Sequence, residues 1–400
     1  MKILVNDYGA YAFPFELSQC FARRGHTVVH AYCDSLDGTP NGCFVDESNR
    51  PETLTLRPLK LRQRQQKQSL LKRRRQDIEY GGMIVQTIRD ARPDVVLSGN
   101  TPLDAQAKLT AACKRESIAT VFWLQDVLSH AIRFGLKRKL GPLGLPVAAH
   151  YRKRERDLIR QSDQVVSITA DFEAWLDEFG IPKERRAVIE NWAPLNEFPM
   201  LPKDNDWSRS RGIHDTLTFM YSGTLSLKHN PDRLIGLART LRPHGGNVWV
   251  RSVGSGADYL TRCKGERDDL QNLHIEGFGP FAETPSAYAS ADVLVALLEN
   301  EASHFSVPSK VLSYLCAGRP LLLAVPEENL AAKIVRSCGG GRVVSPEDED
   351  GFLSAGDELA RDPKLRQQLG NASRQYAERT FDIEVISDRF LEIFRRAIEG

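Results

Sequence analysis

The sequence predicts an α/β protein made of two Rossmann-like, doubly wound domains, and three observations predict it. Strand-type and helix-type stretches alternate along most of the 400 residues. The alternation restarts after a proline-bearing stretch near residues 192–215. Each half opens with a strand, a glycine loop and a helix. Helices that follow strands imply parallel sheets with right-handed crossovers. In such sheets ligands bind beyond the carboxyl ends of the strands.

In the first half, residues 2–6 read as a buried strand and 7–11 as a turn containing Gly9. Residues 13–24 form an amphipathic helix with Leu17, Cys20 and Phe21 on one face, closed by Gly25. Strand 26–30 follows, and 34–76 read as irregular and basic. Then come helix 78–91, strand 93–98, helix 105–116 and strand 119–124, which ends in Gln125-Asp126. A basic loop leads to helix 152–161, strand 164–168, helix 172–179 and strand 187–190. Residues 191–206, with Pro194, Pro199 and Pro202, read as a linker.

The second half begins with strand 217–221, a loop from Ser222 to Lys228 and helix 231–241. Strand 248–253 ends at Gly254-Ser255-Gly256, and helix 260–270, strand 273–276, helix 282–289 and strand 291–298 follow. A helix opening at Ser306–Lys310 is stopped by Gly318. Strand 321–325, helix 330–338, a glycine turn with a strand, and helices at about 349–360 and 364–397 close the chain. The predicted division is a first domain at 1–195, a second at 196–375 and a terminal helix at 376–400.

With 41% hydrophobic and 26% charged residues, the composition is that of an ordinary globular protein. No apolar run approaches the length of a bilayer span, and the first residues run straight into a strand instead of a leader. Seven scattered cysteines without a C-x-x-C pair indicate neither a disulfide framework nor a zinc site, and a reducing cytoplasm fits them best. A cytoplasmic protein, peripheral on the inner face of the plasma membrane, is the expectation.

The net charge of +2 is unevenly spread. Residues 1–197 hold 30 Lys+Arg against 24 Asp+Glu, or +6, which leaves −4 for the remainder. Residues 57–75 carry nine basic side chains and no acidic one. Residues 133–156 carry eight basic and one acidic around an apolar segment, Leu140 to Ala149. Each alone reads as a solvated loop; two in one half suggest an anionic membrane surface as partner. No aromatic residues interleave with the basic block, so nucleic acid is not expected.

The chemistry-bearing stretch is Ser306-Val307-Pro308-Ser309-Lys310 at a strand-to-helix turn. A helix start offers unpaired N–H groups and the positive end of the macrodipole, which favour anions. Ser306 suits the N-cap, Pro308 the first turn, and Ser309 and Lys310 add a hydroxyl and a charge. Gly223-Thr224 with Lys228 offers a second phosphate contact, and Gly254-Ser255-Gly256 is a lone G-x-G that also fits a simple tight turn. Asp126 can act as a base, orient a hydroxyl, or merely cap a helix, with His130 four residues on. Glu301, in the run Glu299-Asn300-Glu301, is a candidate binder of sugar hydroxyls or a solvated loop residue. The two D-x-D runs, Asp204-Asn205-Asp206 and Asp348-Glu349-Asp350, stand in the linker and at a helix start, away from the glycine turns, and there is no H-E-x-x-H or G-x-S-x-G, so neither a metal nor a triad hydrolase is expected.

Together the motifs resemble a GT-B glycosyltransferase of the large retaining family 4, most like the WbuB/WcaI-like branch that builds bacterial cell-surface polysaccharide. The residues that carry the resemblance are Arg23 to His26, Arg92 to Leu97, Trp123 to Asp126, Glu190 to Leu195, Tyr221 to Leu225 with Lys228 to Pro231, Val253 to Gly256, and Pro308 to Leu315 with Ala317 to Pro320. The resemblance implies two Rossmann-like domains facing a central cleft, and a terminal helix that crosses back to the first. It implies a hexosyltransferase using a nucleoside-diphosphate sugar without a metal or other cofactor. The donor diphosphate would meet Gly223, Thr224, Lys228 and the turn at Ser309-Lys310. A glycan or polyprenyl-linked acceptor would lie near Gly9, Ala10, Asp126 and His130. The family's paired glutamates are absent: Phe305 and Ser313 stand in their places. That departure motivates two other readings, a sugar-nucleotide-binding partner without catalysis and a sugar-nucleotide epimerase. A nicotinamide dehydrogenase is disfavoured, since no complete dinucleotide fingerprint follows a strand.

Overall fold

The computed structural model describes residues 1–36, 50–63, 69–298 and 309–400, with only the backbone of Leu70, Leu71, Arg138, Lys139, Lys228 and Ser309. The chain forms two compact units: residues 1–191 with 383–400, and residues 192–382.

The first unit is built on seven parallel strands: β1 (Lys2–Asp7), β2 (Thr27–Cys33), β3 (Leu54–Leu59), β4 (Val95–Gly99), β5 (Ala119–Leu124), β6 (Gln164–Ser167) and β7 (Arg186–Val188). Their spatial order is β3-β2-β1-β4-β5-β6-β7. Strand order therefore reverses between β1 and β4, where Asp7 is paired with Gly99 at the carboxyl ends. Strands covered on both faces have no solvent side, which is why β1 and β4 read as apolar runs instead of alternating. Helices Leu70–Ala91 and Leu103–Glu116 cover one part of the sheet, burying Tyr80, Ile84, Ile88 and Leu109. Elsewhere Leu158, Ile159 and Leu176 pack on Phe122, Leu124 and Val165. The last helix, Ile383–Glu399, belongs to this unit: Phe394 meets Phe21 and Phe390 meets Trp123, with ring centres 5.4 and 5.1 Å apart.

The second unit has six parallel strands: β8 (Thr218–Ser222), β9 (Asn247–Arg251), β10 (Leu273–Glu276), β11 (Val293–Leu297), β12 (Leu321–Ala324) and β13 (Gly341–Val344). Their order, β10-β9-β8-β11-β12-β13, reverses between β8 and β11. Its core gathers Phe219, Tyr221, Leu234, Val248, Val295, Leu322 and Phe352.

Several expectations change, among them helix 78–91, which begins at Leu70. Residues 54–59, expected irregular, form β3 at the edge of the first sheet. An edge position tolerates Pro58, whose missing N–H disguised the strand. The expected basic loop at 133–151 is two helices, Leu128–Leu140 and Leu145–Gln161, joined by a tight turn at Gly141–Gly144. Pro142 and Pro146 read as breakers, yet each stands in the first turn of its element, where no N–H bond is lost. The expected helix 260–270 starts earlier and spans Ser255–Glu266. The expected helix 364–397 is two, Pro363–Thr380 and Ile383–Glu399.

Candidate functional site

In the second unit, Tyr221 and Ser222 end β8 at the point where strand order reverses. The helix Ser309–Cys316 follows β11, the next strand over. Parallel neighbours bring the two βα turns side by side, so Lys310 and Gly223, 87 positions apart in sequence, meet. A Cβ on Gly223 would lie only 2.7 Å from Lys310 Nζ, and Gly223 has φ 139°, which side-chain-bearing residues avoid. Lys310 Nζ donates to the Tyr221 hydroxyl at 2.8 Å and sits 4.0 Å from the centre of that ring. Burial lowers its ammonium from the usual lysine range to about 7. Among the described residues no carboxylate pairs with it. The arrangement is a half-buried cation, held on an aromatic face beside a bare stretch of backbone, and such a group gains most from an incoming anion.

The backbone around it is fixed. Tyr314 Oη accepts from Ser222 N (2.9 Å) and donates to Ser222 O (3.0 Å), tying the helix to β8. Gly223 N donates to Arg251 O (3.1 Å), and Ser252 Oγ donates to Gly223 O (2.7 Å). Tyr221 Oη donates to Thr224 O at 3.0 Å. The Gly254-Ser255-Gly256 turn abuts the same loop. Leu225 N donates to Val253 O, Gly256 N to Leu225 O, and Leu227 N to Ser255 Oγ. Ser255 and Gly256 thus support the Gly223–Leu227 loop through the start of helix Ser255–Glu266. Lys228 lies in a 3₁₀ turn, Leu227–His229, and its side chain falls outside the described residues. Glu301, Ser306, Val307, Pro308 and the Ser309 side chain fall outside them too. Ser313, on the described helix, is half-buried.

In the first unit, a narrow crevice lies at the carboxyl ends of β1 and β4. It is lined by Asn6, Asp7, Phe13, Asn100, Trp123 and Gln125, and continues past Ser98, Thr101 and Gln106 to Asp126. Asp7 caps the loop after β1: its carboxylate accepts from Gly9 N (3.2 Å) and Tyr11 N (2.6 Å). Burial nonetheless raises it to about 7, and those two bonds offset only part. The loops after β1 and β4 each hold a left-handed non-glycine residue, Ala10 (φ 50°) and Asn100 (φ 52°). Strained backbone of this kind concentrates at binding sites. Ala10 is fully buried, backbone included, so it presents no surface to a ligand in this structure.

Behind the crevice runs a chain of bonds. Tyr80 Oη donates to Asn6 Oδ1 (2.7 Å), Asn6 Nδ2 to Thr101 Oγ1 (2.7 Å), and Ser98 Oγ to Gln106 Oε1 (2.6 Å). Gln125 Oε1 accepts from Asn191 Nδ2 at 2.6 Å, while Gln125 Nε2 is buried without a partner among the described residues. Asp126 lies at the mouth, raised by burial to about 6. It does not cap the helix Leu128–Leu140: Glu155 Oε2 accepts from Ser129 N (3.2 Å) at that helix start. His130 is not brought into the crevice; it packs edge-on to Trp175. Sequence reasoning singled out Asp126 and Gly9 but not Asp7, Gln125 or Tyr221. A strand-ending acid before a glycine, and a tyrosine just ahead of Gly223, were the available signals.

Two parallel doubly wound sheets, each with ligand-type chemistry at its point of strand reversal, define a GT-B α/β architecture. Residues 9–192 match the family described as Glycosyl transferase 4-like domain, and residues 203–376 match Glycosyl transferases group 1. The chain is a glycosyltransferase of the GT-B fold. Among solved structures it is similar to Anabaena HepE in complex with UDP-glucose, at 16% identity over 98% of both chains with a TM-score of 0.69. It is similar to sucrose-phosphate synthase from Thermosynechococcus elongatus, at 13% identity over 99% of this chain and 98% of that one, TM-score 0.73. It is also similar to a glycosyltransferase from Rickettsia africae, at 13% identity over 100% and 99%, TM-score 0.71. No curated protein matches the chain by sequence. Among the described residues no helix is long and apolar enough to cross a membrane, and no group of three acidic, histidine or cysteine side chains is placed to hold a metal.

Proposed function

We propose that this glycosyltransferase moves a hexose from a nucleoside-diphosphate sugar to a glycan or polyprenyl-linked acceptor, with retention at the anomeric carbon and without a metal, in cell-surface polysaccharide synthesis. The observation that carries the reading is Lys310, a half-buried ammonium without a described carboxylate partner, beside the bare backbone of Gly223. The donor diphosphate lies there, against Gly223, Thr224 and the helix start at Ser309, with Lys228 on the same loop. The known complex of HepE with UDP-glucose supports a nucleotide hexose as donor.

The chemistry follows from charge. As the C1–O bond breaks, negative charge gathers on the leaving diphosphate. A preorganised cation and a helix start stabilise that charge more in the transition state than before it. Asp126, ionised above about pH 6, takes the acceptor proton or orients the hydroxyl. The basic stretches 57–75 and 133–156 hold the protein peripherally on the anionic inner face of the plasma membrane, where a lipid-linked acceptor is found. The test is calorimetry and thermal shift against UDP-, GDP- and dTDP-sugars, followed by product analysis with lipid-linked and free glycans. A donor raises stability by RT ln(1 + [L]/Kd). Absence of a shift with every nucleotide sugar at millimolar concentration overturns the reading.

A further inference from the structure

The stretch expected to be a basic loop is instead a helical hairpin, Leu128–Leu140 and Leu145–Gln161 around the turn Gly141–Gly144. Its inner seam is closed by buried Leu136, Gly144 and Ala148. The helices approach so closely at Gly144 that a Cβ there would lie 2.9 Å from Leu136 O. The second helix is tied to the body of the unit: Tyr151 Oη donates to Asp104 Oδ2 (2.7 Å) and Arg154 pairs with Asp104 Oδ1 (2.9 Å). The tip is therefore presented on a braced element.

What the tip presents is apolar. Leu143 is 84% exposed, and Phe134, Leu140, Leu145 and Val147 are each more than two-fifths exposed. Single exposed leucines are ordinary, but five large apolar side chains within 14 residues mark an interaction surface. The rim is cationic. Arg133, Lys137 and Lys153 are exposed, and Arg138 and Lys139 stand between them in sequence. Between Asp126 and Asp157 the sequence has one acid, Glu155, and it is fully buried, accepting from Ser129 N. An apolar tip whose two helices carry exposed cations and, between Asp126 and Asp157, no exposed acid matches an anionic bilayer: the leucines enter the acyl boundary and the cations meet the headgroups.

We infer that the Leu140–Leu145 tip inserts into an anionic lipid bilayer. The inference rests on the membrane reading above and changes its physics, since insertion adds a contribution that salt does not screen. The test is flotation of the full chain with phosphatidylcholine vesicles, with and without 30% phosphatidylserine, at ~0.1 M and ~1 M salt. The wild-type chain is expected to float with the anionic vesicles and to remain partly bound at high salt. Leu143→Asp with Leu145→Asp is expected to lower the partition at least tenfold at both salt levels, with unchanged thermal unfolding and donor binding. Arg133→Glu with Lys137→Glu is expected to remove the preference for phosphatidylserine. If the wild type floats but is fully released by salt, and the aspartate pair floats like it, insertion is overturned while the electrostatic reading stands. If the wild type does not float at low salt, both fail, and the transferase reading is untouched. Sedimentation of wild type and aspartate pair is run alongside: a dimer lost in the variant assigns the tip to a second copy and overturns the bilayer.

Discussion

Lys310 Nζ donates to the Tyr221 hydroxyl at 2.8 Å and lies 4.0 Å from the centre of the same ring. The aromatic face holds the ammonium without neutralising it, so a ligand's negative charge is not competing with a carboxylate among the described residues. Charge-assisted bonds of this kind contribute about 1.5–3 kcal/mol. Lys310→Ala is therefore expected to weaken donor binding by about 10- to 100-fold, with thermal unfolding little changed. Calorimetric donor affinity equal to that of the wild type refutes the assignment.

The same lysine makes donor binding depend on pH. Its ammonium is lowered to about 7 in the empty site, and a bound diphosphate favours the charged form. Above pH 7 each binding event must then take up a proton. Affinity is expected to fall by up to about tenfold per pH unit above that point in the wild type, and to lose this slope in Lys310→Ala. Calorimetry in buffers of different ionisation enthalpy counts the protons directly. Stability runs the other way: the unfolded lysine binds its proton more tightly, so this group's contribution to folding rises as pH climbs from about 7 towards the unfolded value.

Gly223 tests the geometry from the opposite side. Ala at φ 139° is strained, and its Cβ would stand 2.7 Å from Lys310 Nζ. Gly223→Ala is expected to cost about 1–3 kcal/mol in unfolding experiments. It is also expected to lose donor affinity comparably to Lys310→Ala, because the ammonium must move. A double variant no worse than either single one would show that both act through one site. Full additivity would separate them.

The two-sheet architecture was legible because β1, β4 and β11 are apolar runs, each followed by a glycine or polar turn and a helix. What escaped had physical disguises. β3 carries Arg57 and Pro58, which only an edge strand tolerates. The hairpin holds Gly135, Gly141, Gly144, Pro142 and Pro146, which signal breaks by composition but serve a tight turn and two helix starts. Lys310 and Gly223 were readable as two contacts to one diphosphate; their partner Tyr221 was not, since a buried strand-end tyrosine resembles any core aromatic. In the first unit Asp126 stood out beside Trp123. Asp7 and Gln125 did not, because their roles come from strands β1 and β5 lying on either side of β4.

Asp126 is raised to about 6 by burial. A base must be ionised, so the rate is expected to rise as pH climbs through about 6 and then level off. Asp126→Asn is expected to remove that acid limb and lower kcat by about 10²–10⁴-fold. A pH–rate profile in which the variant keeps the limb takes the proton away from Asp126.

Gln125 is the sharper test of the crevice. Its Oε1 accepts from Asn191 Nδ2 at 2.6 Å, which leaves the buried Nε2 a donor without a partner among the described residues. Both crevice walls include it, and a buried donor of this kind costs about 1–3 kcal/mol unless something accepts from it. An acceptor oxygen is the natural partner on the proposed reading. Gln125→Met keeps the length and removes the donor, but it also takes the acceptor away from Asn191 Nδ2, so the two effects on stability oppose each other. The KM for acceptor is expected to rise about tenfold while the donor Kd stays unchanged. Gln125→Glu is expected to lower stability, since it buries a carboxyl at a position that is 6% exposed. Stability lost in Gln125→Met without a rise in acceptor KM would make the amide a structural element of the β5 turn and leave the acceptor to other residues.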